Sequence, residues 1–190
     1  MGHPVHTFPN ALPEIVTKKL PNDQELKIRG VLRGDVPALA HIYCESYKVN
    51  GGGEHWTPER AALLLQHLIE TDAKKVSVVA LLGERIVSAA FGRIRPWESG
   101  KNILDGTELF VDPNLQKQGI ANELLQERLH RAEVWGRATD VEIVTFALSE
   151  EPKGYHGRTG FRRVEELQIM STPVEVVKAG LARRSNKEDK

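Results

Sequence analysis

The chain predicts an α/β fold of the α+β kind, a mixed, mostly antiparallel central sheet flanked by helices. Three observations carry this expectation. The hydrophobic pattern changes period in the order β-α-α-β-β-β-α-β-α-β, which groups strands together instead of alternating them strictly with helices. Two apolar runs, residues 75–82 and 86–94, flank Gly83-Glu84, a hairpin signal that makes neighbouring strands antiparallel. A third run, Leu109-Phe110-Val111, leads through a glycine-bearing turn into a helical pattern, and this mixed order of strands and helices suggests one parallel junction in the sheet.

The elements follow in order. Residues 1–24 carry Pro4, Pro9, Pro13 and Pro21 with little periodicity and read as an N-terminal arm. The domain itself is expected over 25–171, and 172–190 read as a polar, frayed tail. Residues 25–32 form a first strand. Asp35 is placed to cap a helix running to about Tyr47, with Leu39, Ile42, Cys44 and Tyr47 buried. Gly51-Gly52-Gly53 is a break. Thr57-Pro58 reads as an N-cap followed by proline at the first helical position, and Ala61, Leu64, Leu65, Leu68 and Ile69 recur at helical spacing. After the hairpin, residues 99–102 are a loop and 107–111 a strand. The next helix covers 118–135, with Ala121, Leu125, Leu129 and Ala132 on one side. Residues 141–148 are almost continuously apolar, as in a central strand buried on both faces. A short helix or turn at 152–158 and a strand at 161–170 complete the order.

The totals narrow the functional classes. A chain of 190 residues is long enough for one domain with a sizeable core. Its 26 basic and 26 acidic residues cancel, so nothing in the charge argues for a nucleic-acid partner. Cys44 is the single cysteine, which excludes an intrachain disulfide and suits a reducing, cytoplasmic setting. No secretory leader pattern is visible and no apolar run is long enough to span a bilayer. The seven histidines are scattered, so no metal site is expected.

The segment Gln116-Lys117-Gln118-Gly119-Ile120-Ala121 carries most of the functional information. A glycine turn between a strand and a helix leaves backbone N–H groups unpaired at the positive end of the helix dipole, a ready site for phosphate or pyrophosphate. Gly119 lets the backbone approach such a ligand, and Ala121 adds little bulk. Neither G-x-G-x-x-G nor G-x-x-x-x-G-K-[ST] is present. The pattern is Gln-x-x-Gly-x-Ala, preceded by Glu108-Leu109-Phe110-Val111, followed by Leu124-Leu125, with Tyr155-His156 ahead of Gly160-Phe161 further on. Together these resemble the GCN5-related N-acetyltransferase family and its motif [Gln/Arg]-x-x-Gly-x-[Gly/Ala]. The resemblance covers residues 25–170 and is specific over 107–125.

That resemblance implies an acyl-CoA N-acyltransferase-like fold and acetyl-CoA as the cofactor. Backbone groups of Phe110 and Val111 would pair with the pantetheine between two splayed strands. The N–H groups of Gln118, Gly119, Ile120 and Ala121 would hold the pyrophosphate, with the side chains of Gln116 and Lys117 beside it. Glu108 is the candidate base for the acceptor amine; otherwise it is a surface glutamate. The family commonly supplies a tyrosine to protonate the departing thiolate. Here that offset falls on His156, with Tyr155 one residue earlier, so either can be the acid and Tyr155 can pack on the cofactor instead. The acceptor would meet residues 51–56 and 96–106, including Glu54, His55, Trp56, Trp97 and Glu98. The implied reaction is direct attack by a primary amine, of a small molecule first, or of a lysine or N-terminal amine of a protein. A homodimer is an allowed assembly. A non-catalytic acyl-CoA-binding or sensor domain is the alternative class.

Overall fold

The structure is a computed structural model that describes residues 15–50, 54–97, 100–144, 154, 156–162 and 164. The chain divides into two compact units, Met1–Glu150 and Glu151–Lys190. The first holds a six-stranded sheet in sequential order, β1 (Val16–Lys19), β2 (Glu25–Gly30), β3 (Val78–Leu82), β4 (Arg85–Pro96), β5 (Asn102–Val111) and β6 (Ala138–Ile143). All neighbours are antiparallel except β5 and β6, which are parallel. Three helices, α1 (Val36–Asn50), α2 (Pro58–Thr71) and α3 (Ile120–Gly136), flank it.

Two faces of the sheet are covered differently. Leu39, Tyr43 and Cys44 of α1 and Ala61 and Leu65 of α2 pack with Val79, Ala89, Phe91 and Phe110. On the other face Ile120 and Leu124 of α3 pack with Leu26, Ile28, Val78, Ala90 and Val111. The strands therefore alternate between two apolar layers, which is why β3 and β4 read as continuous apolar runs.

Several expected boundaries move. Val16–Lys19, within the expected arm, forms the edge strand β1 and pairs with residues 25–28 of β2. Asp35 does not cap α1 directly. It lies in a 3-10 turn, Arg33–Asp35, where its carboxylate accepts from the Leu32 N–H at 2.8 Å and from Arg29 at 2.7 and 2.8 Å. The carboxylate is buried, so it binds a cation and ties β2 to the start of α1. Thr57 caps α2 as expected, accepting from the Arg60 N–H at 3.4 Å, with Pro58 at the first helical position.

Strand β5 starts at Asn102, so residues 102–106 are strand and not loop. Strand β6 begins at Ala138, earlier than expected, and its side chains are half-buried or exposed instead of buried on both faces. Its far edge has no strand partner among the described residues, and residues 145–148 of the expected strand lie outside them. In the second unit, Gly154 and His156–Arg158 are helical, in keeping with the expected short helix; Phe161, Arg162 and Val164 are not strand.

Candidate functional site

The site is built around an irregularity in β5. Phe91 of β4 pairs with Glu108, but the next residue, Gly92, pairs with Gly106, leaving Thr107 as the extra residue of a β-bulge. The bulge changes which face each side chain takes. A Cβ on Gly106 would meet Arg128 of α3, and Leu104 packs with Ala132 of α3. Thr107 instead borders His67, Leu68 and Thr71 of α2, and Glu108 reaches Tyr47 of α1. Alternation then resumes, with Phe110 on the α1/α2 side and Leu109 and Val111 on the α3 side. Two consecutive residues thus share one face, and the phase of the strand is reset at Glu108.

Glu108 enters an aromatic pocket. The Tyr47 hydroxyl donates to its Oε2 at 2.9 Å. Tyr47 stacks on Tyr43 with centroids 4.4 Å apart, and Tyr43 meets Trp56 and Phe110 edge-on at 5.2 and 5.1 Å. Burial pushes the Glu108 carboxyl up to about 7, against the Tyr47 and Tyr43 hydrogen bonds, while the Glu54 carboxylate adds to the rise. The same burial, reinforced by the Glu108 charge, holds the Tyr43 and Tyr47 phenols well above their ordinary value. Both phenols stay protonated donors around a carboxyl poised to exchange a proton near neutrality. Trp56 Nε1 donates to Glu54 at 2.7 Å, which brings a second acid to the pocket mouth.

The end of β5 is held by side chains. Ser88 Oγ donates to the Phe110 carbonyl at 2.6 Å, and Ser46 Oγ of α1 to the Val111 carbonyl at 2.7 Å. Asp112 caps a 3-10 turn, Pro113–Leu115, and is paired with Arg85. Gln116 turns back, its Nε2 donating to Val111 at 3.4 Å. Lys117 and Gly119 take positive φ, +63° and +89°. Helical bonding begins with the Asn122 N–H on the Gly119 carbonyl at 3.0 Å, so the N–H groups of Gly119, Ile120 and Ala121 precede the first bond of α3. A Cβ at Gly119 would stand 3.3 Å from Pro21 Cδ of the β1–β2 turn, and Asn22 donates to Gln118 at 3.3 Å. Ile120 is buried in the core and Ala121 half-buried. A bare glycine at positive φ opening a helix fits the diphosphate of a coenzyme A.

The structure thus joins Glu108, Phe110 and Val111 on one strand to the 116–121 loop that follows. Tyr155 lies outside the described residues. His156 belongs to the second unit, where its ring packs edge-on to Phe161 at 5.3 Å and its carbonyl accepts from the Phe161 N–H at 3.0 Å. Of the expected acceptor residues, Glu54 and Trp56 reach the pocket, His55 is exposed, Trp97 is exposed beneath the Arg95 guanidinium at 4.6 Å, and Glu98 and residues 51–53 lie outside the described residues. Sequence reasoning missed Tyr43 as a pocket wall, Ser46, Ser88 and Arg128. A Tyr-x-x-x-Tyr pair on one helix was the available signal for the first. Among the described residues no group of three or more His, Cys, Asp or Glu side chains could hold a metal, and no helix is long and apolar enough to cross a membrane.

Solved structures share this architecture. A structure described as a possible acetyltransferase from Clostridium difficile 630 matches with a TM-score of 0.68 and 13% identity, over 78% of this chain and 98% of that one. The aminoglycoside N-acetyltransferase AAC(6')-Iy in complex with CoA matches with a TM-score of 0.58 and 15% identity, over 80% and 97%. The ribosomal-protein-alanine N-acetyltransferase from Brucella melitensis biovar Abortus 2308 matches with a TM-score of 0.61 and 12% identity, over 78% and 99%. At these identities the likeness is one of fold. No curated protein sequence matches. The family assignment comes from the sequence itself: the model of the acetyltransferase (GNAT) family matches residues 36–161, two thirds of the chain, and the chain belongs to that family.

Proposed function

We propose that the chain moves an acetyl group from acetyl-CoA to a primary amine of a small molecule, with Glu108 as the base. The observation that carries this is the buried Glu108 carboxyl, set on a bulge inside a Tyr43–Tyr47–Trp56 pocket and held near 7. A primary amine resembling lysine has a pKa of about 10.4, so at neutral pH it arrives as a cation and must lose a proton before it can attack. Raising the carboxyl from 4.5 to about 7 makes that transfer roughly 3 kcal/mol less uphill, at about 1.36 kcal/mol per unit. Aromatic faces and the Glu54 carboxylate favour a cationic acceptor at the mouth.

The cofactor side is the Gln116–Ala121 loop. The N–H groups of Gln118, Gly119, Ile120 and Ala121 receive the pyrophosphate at the start of α3, and Lys117 adds positive charge beside it. Phe110 and Val111 orient the pantetheine through their backbone. The bound cofactor supplies the acetyl group as an activated thioester. Tyr155 or His156 gives a proton to the departing sulfur.

Acetyl-CoA turnover on a panel of aminosugars, linear diamines and peptides with free N-termini tests the whole reading. Transfer to at least one small amine is expected. Transfer to peptides alone selects a protein-amine enzyme, and tight acetyl-CoA binding without transfer to anything selects a sensor domain.

A further inference from the structure

Arg128 is 2% exposed, on the helix face that carries Leu124, Leu125 and Ala132. An arginine there costs several kcal/mol of desolvation unless its donors are well used. Its Nη1 donates to the Phe91 carbonyl at 2.7 Å and also to that of Glu108 at 3.4 Å. Those two residues are register partners at the bulge, where the ladder is interrupted. In the adjoining register pair, Gly92 and Gly106, it is Gly106 that provides the room for the guanidinium. A Cβ on Gly106 would stand 3.2 Å from Arg128 Nη2 and 3.0 Å from Ile143 Cγ2, and one on Gly92 would stand 3.0 Å from the Asp105 carbonyl.

We propose that Arg128 is a positioning residue: from the α3 side its guanidinium clamps the Phe91 and Glu108 carbonyls, and so fixes the bulge that turns the Glu108 carboxyl toward Tyr47. The catalytic consequence rests on Glu108 being the base. The clamp itself does not. The titratable groups facing the carboxyl are Tyr43 and Tyr47 from α1 and Glu54 from the α1–α2 connection. His67 of α2 and Arg93 of β4 border the neighbouring Thr107.

The test is a ¹³C NMR titration of the glutamate carboxyls in the full chain, with the Glu108 signal assigned by its loss in Glu108→Gln. Two variants disturb the clamp. Arg128→Lys keeps the charge but replaces the planar guanidinium, whose Nη1 reaches both carbonyls, with a shorter side chain ending in a differently placed ammonium. Gly106→Ala keeps every charged group and pushes the guanidinium aside with one methyl. In both, Glu108 is expected to titrate at least about one unit lower than wild type, because a released carboxyl gains water. With it, kcat falls by up to roughly a hundredfold while the KM for acetyl-CoA holds. An unmoved or raised titration in a folded variant overturns the clamp, since weakening a cation's field alone would raise the carboxyl's pKa. If Arg128→Lys does not fold, Gly106→Ala decides. Full turnover in Glu108→Gln would reject the base and leave the titration result standing.

Discussion

The two halves of β5 are held by different means. Asn102–Gly106 pairs with β4 on one side and with β6 on the other, so its hydrogen bonds come from neighbouring backbone. Glu108–Val111 pairs with β4 alone among the described residues, and side chains serve its carbonyls: Arg128 at Glu108, Ser88 at Phe110, Ser46 and Gln116 at Val111. The first half is ordinary sheet. The second has no strand on its far side among the described residues, and an unpaired edge is a liability unless something uses it. The candidate base and the proposed cofactor contacts all follow the bulge. Pairing on both sides supplies rigidity up to Gly106, and the candidate site begins where, among the described residues, pairing on one side stops.

The most severe way to break that contrast lies just beyond the strand. Gly119→Asp forces a Cβ and a carboxylate into a φ of +89° beside Pro21. Acetyl-CoA binding should be abolished in calorimetric titration, with the fold kept by circular dichroism; undiminished affinity would remove the loop from the cofactor site.

Glu108→Gln should lower turnover at neutral pH by roughly a hundred- to ten-thousandfold, with partial recovery at high pH, where more of the amine is already neutral. Acetyl-CoA affinity should stay near wild type. The same variant reports on stability. A carboxyl raised from 4.5 to about 7 by folding favours the protonated native state. Its stabilising preference is complete below about pH 4.5, and stability is lost as pH rises through about 7. Urea denaturation should therefore show Glu108→Gln gaining on wild type between those values.

Tyr47→Phe removes a bond that lowers the Glu108 carboxyl, so the rising limb of the pH–rate profile should move to higher pH, with a several-fold loss at pH 7. A limb that stays in place would mean the phenol does not tune the carboxyl. Ser88→Ala should be the mildest, costing about 1–3 kcal/mol by leaving the Phe110 carbonyl short of a donor. The matching change in the paired half, Asn102→Ala, should leave turnover untouched; its side chain only donates to the Gly136 carbonyl at 2.8 Å.

The sheet, the hairpin at Gly83 and the strand–turn–helix after Val111 were legible because each has a local signature of period or turn chemistry. Strand β1 was not, because Val-Thr-Lys-Lys sits in proline-rich surroundings and gains its regularity from β2. The bulge was not, because Thr107-Glu108 carries no mark in sequence of two neighbours sharing a face. Arg128 and Glu127 carry no sequence signal of burial, being charged residues on a helix, yet both are buried, Glu127 paired with Arg131 at 2.7 Å. The motif loop was visible from composition; what aims the base depends on contacts between residues twenty to sixty positions apart.

Thr107 acts on this strand as an inserted letter acts on a reading frame. Read straight through, it would turn every residue downstream to the opposite face; the bulge absorbs the extra count and restores the frame at Glu108. Plain alternation through Thr107, without the bulge, would send the Glu108 carboxyl toward α3 and Leu109 and Val111 into the aromatic pocket, whereas deleting Thr107 as well would return all three to the faces they hold now. A relative one residue shorter at this point would aim the same carboxyl with a regular ladder and no bulge to hold. The opposition of Glu108 to Phe91, and not the length between Gly106 and Glu108, is thus the mark of a working site.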